Sequence, residues 1–175
     1  LTACRTILQS CPAGMLGTGK PFGNAIVWQG IPGHGSGYIR LPEDFLRLIV
    51  FQMSDWRRAV YKAISTDSPE YALQASRYPG IRGNPDRPVV AIVNKDVGRA
   101  LEFYSCIAGA KATVAQARYV PMPAITDEGT ITMEHRIKEP VVYYAAAMVA
   151  STTGNTEAAA TLTSLSKSLL NEADT

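Results

Sequence analysis

The string Gly14-Met15-Leu16-Gly17-Thr18-Gly19-Lys20 satisfies the spacing G-x-x-x-x-G-K, in which glycine N–H groups cradle phosphate and the lysine reaches it. Such a loop stands between a strand and a helix and continues with Ser or Thr to hold Mg²⁺. Here Pro21 follows, with neither hydroxyl nor N–H, and Phe22-Gly23-Asn24 opens no strong helix. The string reads as a flexible glycine arm that does not bind nucleotide. Neither His34 nor His135 has a second histidine or cysteine three to five residues on, so no metal spacing is present. Cys4, Cys11 and Cys106 are an odd count without ligand spacing, and they read as thiols of a reducing compartment, Cys106 in the core. Sequence distance allows a Cys106/His135 nucleophile–base pair, but nothing local supports it. Glu43/Asp44 and Asp127/Glu128 are neighbours in turns and read as solvated acids rather than general acid–base pairs. No catalytic residue, cofactor site or metal site is expected.

Binding chemistry is richer. Trp56-Arg57-Arg58, with Tyr61, joins residue types that dominate interface hot spots. Arg77, Tyr78 and Arg82 extend the set, and eleven of the seventeen cations are arginine, which can reach a carboxylate across a subunit boundary in bidentate fashion. These seven residues are the interface candidates. Trp56 follows Ser54-Asp55, where a strand leaves its sheet, so its ring is expected at a domain edge. A core tryptophan with solvated arginines is the competing reading. Base stacking on aromatic and Arg side chains is a third, disfavoured by a net charge of only +2.

The elements that must hold these residues follow from periodicity and punctuation. Residues 1–11 make a short helix around Ile7 and Leu8, stopped by Pro12. Residues 12–37 contain eight of the fourteen glycines and read as a loop or extended arm with a brief strand at Ala25–Trp28. Phe45–Met53 is a strand buried on both faces at its centre, and Arg58–Ile64 alternates as another. Asp67 or Ser68 caps a short helix from Pro69 to Ser76. Pro88–Asn94 and Arg99–Cys106 form a hairpin around Asp96-Val97-Gly98, with Leu101, Phe103 and Ser105 on one face and Glu102, Tyr104 and Cys106 on the other. Ala112–Val120 is a further strand. The period then becomes helical over Glu134–Ala150, with Pro140 at its first turn or kinking it. Gly154 ends that helix, and Asn155 or Thr156 caps a second, lined by Leu162, Leu165 and Leu169. The fold class is α+β: an antiparallel β-meander or small barrel with an N-terminal helix and a C-terminal helical hairpin. The expected divisions are 1–37 (helix and glycine-rich arm), 38–133 (β-domain) and 134–175 (helical hairpin packing with the N-terminal helix).

A 46% hydrophobic and 18% charged composition over 175 residues describes a globular chain that needs no disulfide staple. Its longest apolar run, Val141–Ala150, is well short of the ~20 residues that span a bilayer, and no secretory signal is read after Leu1. Charge is uneven: residues 1–126 carry fourteen Lys/Arg against eight Asp/Glu, residues 127–175 three against seven. The two arms either attract within one subunit or pair head to tail between copies, the contact that closes rings. Ordinary surface variation is the plain alternative.

The stretch Leu41-Pro42-Glu43-Asp44-Phe45-Leu46-Arg47-Leu48 resembles the LP-x-D-[FYW]-L-R opening of head–tail connector (adaptor) proteins of tailed bacteriophages. Arg87-Pro88-Val89, Leu101-Glu102-Phe103-Tyr104, Tyr119-Val120-Pro121 and a closing helix rich in Ala and Tyr follow in similar order. Phe51-Gln52-Met53-Ser54-Asp55-Trp56 is similar to ring proteins of crAss-like phages. The resemblance covers residues 38–150 and leaves the arm at 12–37 unmatched. It implies a non-enzymatic virion protein, assembled in the host cytoplasm, that forms a cyclic homo-oligomer, a dodecamer in that family. It would join portal protein to tail and neck proteins, with incidental contact to genomic DNA in the channel and none to membrane. The other function class open to the sequence is a soluble β-rich ligand- or carbohydrate-binding module of a bacterial protein.

Overall fold

A computed structural model describes residues 1–23, 25–29, 35–76, 78, 80–107 and 111–172. In chain order the elements are α1 (Thr2–Ser10), β1 (Lys20–Pro21), β2 (Ile26–Gln29), β3 (Gly35–Arg40), β4 (Phe45–Met53), β5 (Ile64–Ser65), α2 (Pro69–Leu73), β6 (Val90–Lys95), β7 (Gly98–Cys106), β8 (Val114–Pro121), α3 (His135–Thr152) and α4 (Thr156–Glu172). The class is α+β, as the periodicities require. The chain divides into two compact units: a β unit, residues 20–119, and a helical unit, residues 1–19 with 120–175.

The β unit holds a three-stranded sheet in the order β1-β8-β4 and a five-stranded sheet in the order β2-β3-β7-β6-β5. Among the described residues neither sheet closes into a barrel. The β6–β7 hairpin pairs Lys95 with Gly98 and Val90 with Phe103, and Gly98 leaves the turn at φ +96°, a conformation that favours glycine. β5 runs parallel to β6, whereas β2, β3, β6 and β7 pair antiparallel. Phe45, Phe51 and Met53 of β4 meet Ile39, Val90, Leu101 and Phe103 of the larger sheet in one core. The resemblance motif is the corner into β4. Phe45 N–H donates to Pro42 O at 3.0 Å, Leu41 and Phe45 are buried, and Asp44 accepts from Tyr119 Oη at 2.6 Å and Lys20 Nζ at 3.0 Å. Asp44 thus ties that corner to β8 and β1.

Three details of the sheets differ from the sequence reading. Within the expected glycine arm lie a 3₁₀ turn at Ala13–Met15, β1, β2 and the start of β3. A Cβ on Gly37 would stand 2.8 Å from the Phe103 ring and 2.8 Å from Val27 O, so this glycine permits close strand packing rather than flexibility. The expected strand at Arg58–Ile64 is reduced to a bridge between Val60 and Phe51 and the two residues of β5, Ile64–Ser65, which pair with β6 instead. Finally, β3 pairs Gly35 with Cys106 and Gly37 with Phe103, an extra residue on β7. This bulge shifts the alternation and moves Cys106 onto the core face with Leu101 and Phe103.

In the helical unit α1 buries Ala3, Cys4, Ile7 and Leu8, a single face at helical spacing, and packs against α3. Gly154, at φ +79°, ends the α3–α4 connection. Asn155 Oδ1 accepts Ala158 N–H at 3.1 Å, the side-chain cap of α4. Pro140 lies inside α3, not at its first turn. Its carbonyl accepts the buried Ser166 hydroxyl at 2.8 Å, which fixes the crossing of the two helices.

Candidate interaction surface

The β unit carries a depression of about 440 Å³ between α2 and the loop 80–89. Ser68 starts α2, its hydroxyl accepting Glu70 N–H at 3.3 Å with Pro69 next. Gln74, 5% exposed, clips helix to loop: it donates to Glu70 O at 2.9 Å and accepts Gly83 N–H at 2.9 Å. The loop narrows at Asn84-Pro85-Asp86-Arg87, where Asn84 Oδ1 accepts the N–H groups of Asp86 and Arg87, both at 3.0 Å. Such a side-chain-closed turn is stiff. Arg57 braces it from the neighbouring segment, through its N–H to Pro85 O at 3.0 Å and its guanidinium to Asp86 at 2.8 Å. The lining includes Leu73, Ile81, Arg82 and Arg87, with Leu73 and Ile81 about half exposed.

The structure sorts the seven sequence candidates. Arg82 lines this depression, Arg57 is tied to its Asp86, and Tyr78 is joined to it by its carbonyl, which accepts from Ile81 and Arg82 N–H. Arg58 and Tyr61 are exposed on the segment after Arg57. Arg77, like His34, lies outside the described residues. Trp56 is placed in the core rather than at an edge: it is 4% exposed and packs edge-on against Phe51 and Phe103, with ring centroids 5.5 and 6.5 Å apart. The flanking arginines are solvated because only the indole turns inward.

One polar constellation was not legible beforehand. Glu102, buried on the other face of β7, accepts from Gln29 (2.5 Å), Lys95 (2.9 Å), Tyr71 (3.2 Å) and Tyr104 (2.6 Å). Burial raises its pKa, but the hydrogen bonds from Tyr104, Lys95 and Gln29 and the Lys95 charge prevail and hold it below the usual carboxylate value. Burial and the Glu102 carboxylate push the Tyr104 phenol well up. A carboxylate stabilised by four donors is a poor general base; it locks β2, α2 and β6 to β7. The signal for it was Glu102 with Tyr104 on one strand face and Lys95 on the pairing strand.

The remaining sequence candidates do not form a reaction centre. Lys20 opens β1 and is held by Asp44, so the Gly14–Lys20 string does not run from a strand into a helix. Burial and the adjacent Asp55 carboxylate push the Cys106 thiol up, against the indole N–H of Trp56, the opposite of an activated nucleophile. His135 is exposed at the start of α3. Among the described residues no three His, Cys, Asp or Glu side chains gather to hold a metal ion, and no helix is long and apolar enough to cross a membrane.

The helical unit presents a second surface. Val142 and Val149 on α3 are 64% and 63% exposed, and Ala146 between them is exposed too. Counting the sequence by unit, the helical unit has four Lys/Arg against seven Asp/Glu, net −3, and the β unit thirteen against eight, net +5. No protein-family model, curated protein or solved structure matches the chain.

Proposed function

We propose that this chain is a structural assembly protein, a subunit of a closed ring that serves as a phage head–tail connector between portal and tail. The observation that carries the reading is the apolar face of α3, where Val142, Ala146 and Val149 stand in solvent. Contiguous exposed apolar surface marks a contact with another molecule, and covering it recovers ~25 cal/mol per Å² of apolar area. Two units of opposite charge, −3 and +5, suit a chain that meets copies of itself. The residues of the LP-x-D stretch support the reading as architecture: they build the corner into β4, and their acid is consumed by Tyr119 and Lys20. Ring subunits often assemble only on their template, so the decisive sample is the assembled particle. Mass measurement and imaging of that particle are expected to show the chain as a closed ring. A monomeric or twofold arrangement there overturns the reading.

A further inference from the structure

We propose that residues 57–62, with Arg87 beside them, form a binding site for single-stranded nucleic acid, in which the cations contact phosphates and the Tyr61 ring stacks on a base. The eleven residues 56–66 contain Arg57, Arg58 and Lys62 and no acid. Tyr61 is 66% exposed between Arg58 and Lys62, which are exposed as well. The segment is held at both ends and in the middle. Arg57 N–H donates to Pro85 O at 3.0 Å, and Val60 and Phe51 exchange two backbone hydrogen bonds of 2.8 Å. Ile64 pairs with Ala91. These ties run the segment alongside residues 85–91, where Arg87 is exposed. Val60 and Ala63 pack against the core, which leaves Arg58, Tyr61 and Lys62 outside. The backbone is fixed before a partner arrives, so little ordering is needed on binding.

The acids nearby do not cancel this charge. Asp86 is held by Arg57 at 2.8 Å, and Asp55 accepts the Ile107 N–H at 2.7 Å. Asp67 lies beyond β5. Glu70 lines the depression with Arg87 but forms no ion pair with it among the described residues. Residues 57–62 and 86–87 thus hold four cations and one acid. The net charge of +2 averages over the whole chain, whereas a phosphate chain meets the local excess. Arg58 and Lys62 have their Cα atoms at most ~14 Å apart, within reach of a few nucleotides. Cations that track a backbone, with an aromatic ring between them, bind single strands without regard to sequence. The exposed ring selects this occupant. In a duplex the base faces are covered by their neighbours, and an acidic peptide offers no base to stack.

The test is fluorescence anisotropy of a labelled oligo(dT) of about twelve nucleotides, a length in the range of single-strand sites, titrated with the full chain at low salt. Binding with a Kd of ~1–100 μM is expected. Log K should fall against log salt with a slope of about −2, the counterion release of three phosphate contacts on a single strand. Arg58→Glu combined with Lys62→Glu should weaken binding at least about tenfold. Tyr61→Ala should weaken it about tenfold, the loss of one stacked base, and Tyr61→Phe, which keeps the ring, should retain it. Arg136→Glu combined with Lys138→Glu, at exposed positions of α3, should leave it unchanged. Absence of binding overturns the inference, as does a Tyr61→Ala chain that binds like wild type or an α3 variant that loses as much as the Arg58/Lys62 one. Competition by a duplex of the same length, or by polyglutamate, as effective as that by oligo(dT) also overturns it. The isolated chain is measured, so this result is independent of the ring reading, whose failure appears in the mass of the assembled particle.

Discussion

Glu102 concentrates more polar contact than any other side chain singled out above, and its removal has a definite cost. Glu102→Ala leaves the Lys95 ammonium and the buried Tyr104 hydroxyl without their acceptor, and losing one member of a buried pair costs ~3–5 kcal/mol. Urea melts of the variant at neutral pH are expected to show that loss; an unchanged midpoint would mean the network is dispensable. The pH dependence has a fixed sign. The folded pKa of Glu102 lies below its usual 4.5, and that of Asp44 below its usual 3.8, through the Tyr119 hydrogen bond and Lys20. Each contributes stability that is present above those values and lost as pH falls through the depressed ones. The stability gap between wild type and Glu102→Gln should therefore narrow as pH drops below 4.5. Trp56→Ala should cost ~3–5 kcal/mol of folding. Tyr78→Ala and Arg58→Ala, on the surface, should each stay within about 0.5 kcal/mol. If Trp56→Ala melted like the surface variants, the indole would not belong to the core.

At the scale of elements, the α3–α4 hairpin depends on small residues where the helices cross. Ser166 is 0% exposed and donates to Pro140 O, a carbonyl in a helix whose proline interrupts the N–H ladder. Ser166→Ala removes one hydrogen bond and should cost about 1 kcal/mol. Ser166→Leu must force the helices apart, and overpacking of this kind costs ~1–3 kcal/mol or more. Thermal melts followed by helical circular dichroism distinguish them, with Leu the more damaging. Equal effects would mean that only the hydroxyl matters. The same crossing explains the exposed stripe: α3 turns Ile137, Val141 and Ala147 inward, and Val142 and Val149 belong to the face left over.

At the scale of the molecule, the opposite charges of the two units predict that assembly of the proposed ring is sensitive to salt. The screening length is ~10 Å at 0.1 M ionic strength and ~3 Å at 1 M. If opposite charges help copies of the chain hold together in the proposed ring, retention of the chain in the assembled particle should fall over that range, and the folding midpoint of the single chain should change little. Retention that rises with salt would make the contact purely apolar and remove charge as its basis. The fold narrows the charge division that composition shows at residue 126, from +6 and −4 to +5 and −3, because Arg5 lies in the first nineteen residues, which join the acidic unit.

The sequence by itself determined the elements that rest on local physics. A hydrophobic period of 3.6 marks the last two helices, Ser68-Pro69 starts α2, and alternation around Asp96–Gly98 makes the β6–β7 hairpin; hence the α+β class was legible. It also picked out arginine and aromatic residues near 57 and 78–82 as types suited to an interface. Only the tertiary structure decided which of them lie near one another. Trp56 goes inward because Phe103, distant in sequence, joins the nearby Phe51 in leaving room for an indole. One extra residue in β7 turns Cys106 to the face of Leu101 and Phe103 instead of that of Glu102 and Tyr104, an offset set by pairing with β3 and invisible in β7 alone. Glu102 gathers donors from β2, α2 and β6 as well as its own strand, and no spacing rule relates residues 29, 71, 95 and 102. Long-range pairing is what local propensity cannot encode, and in this chain it is the long-range pairing that builds the buried network.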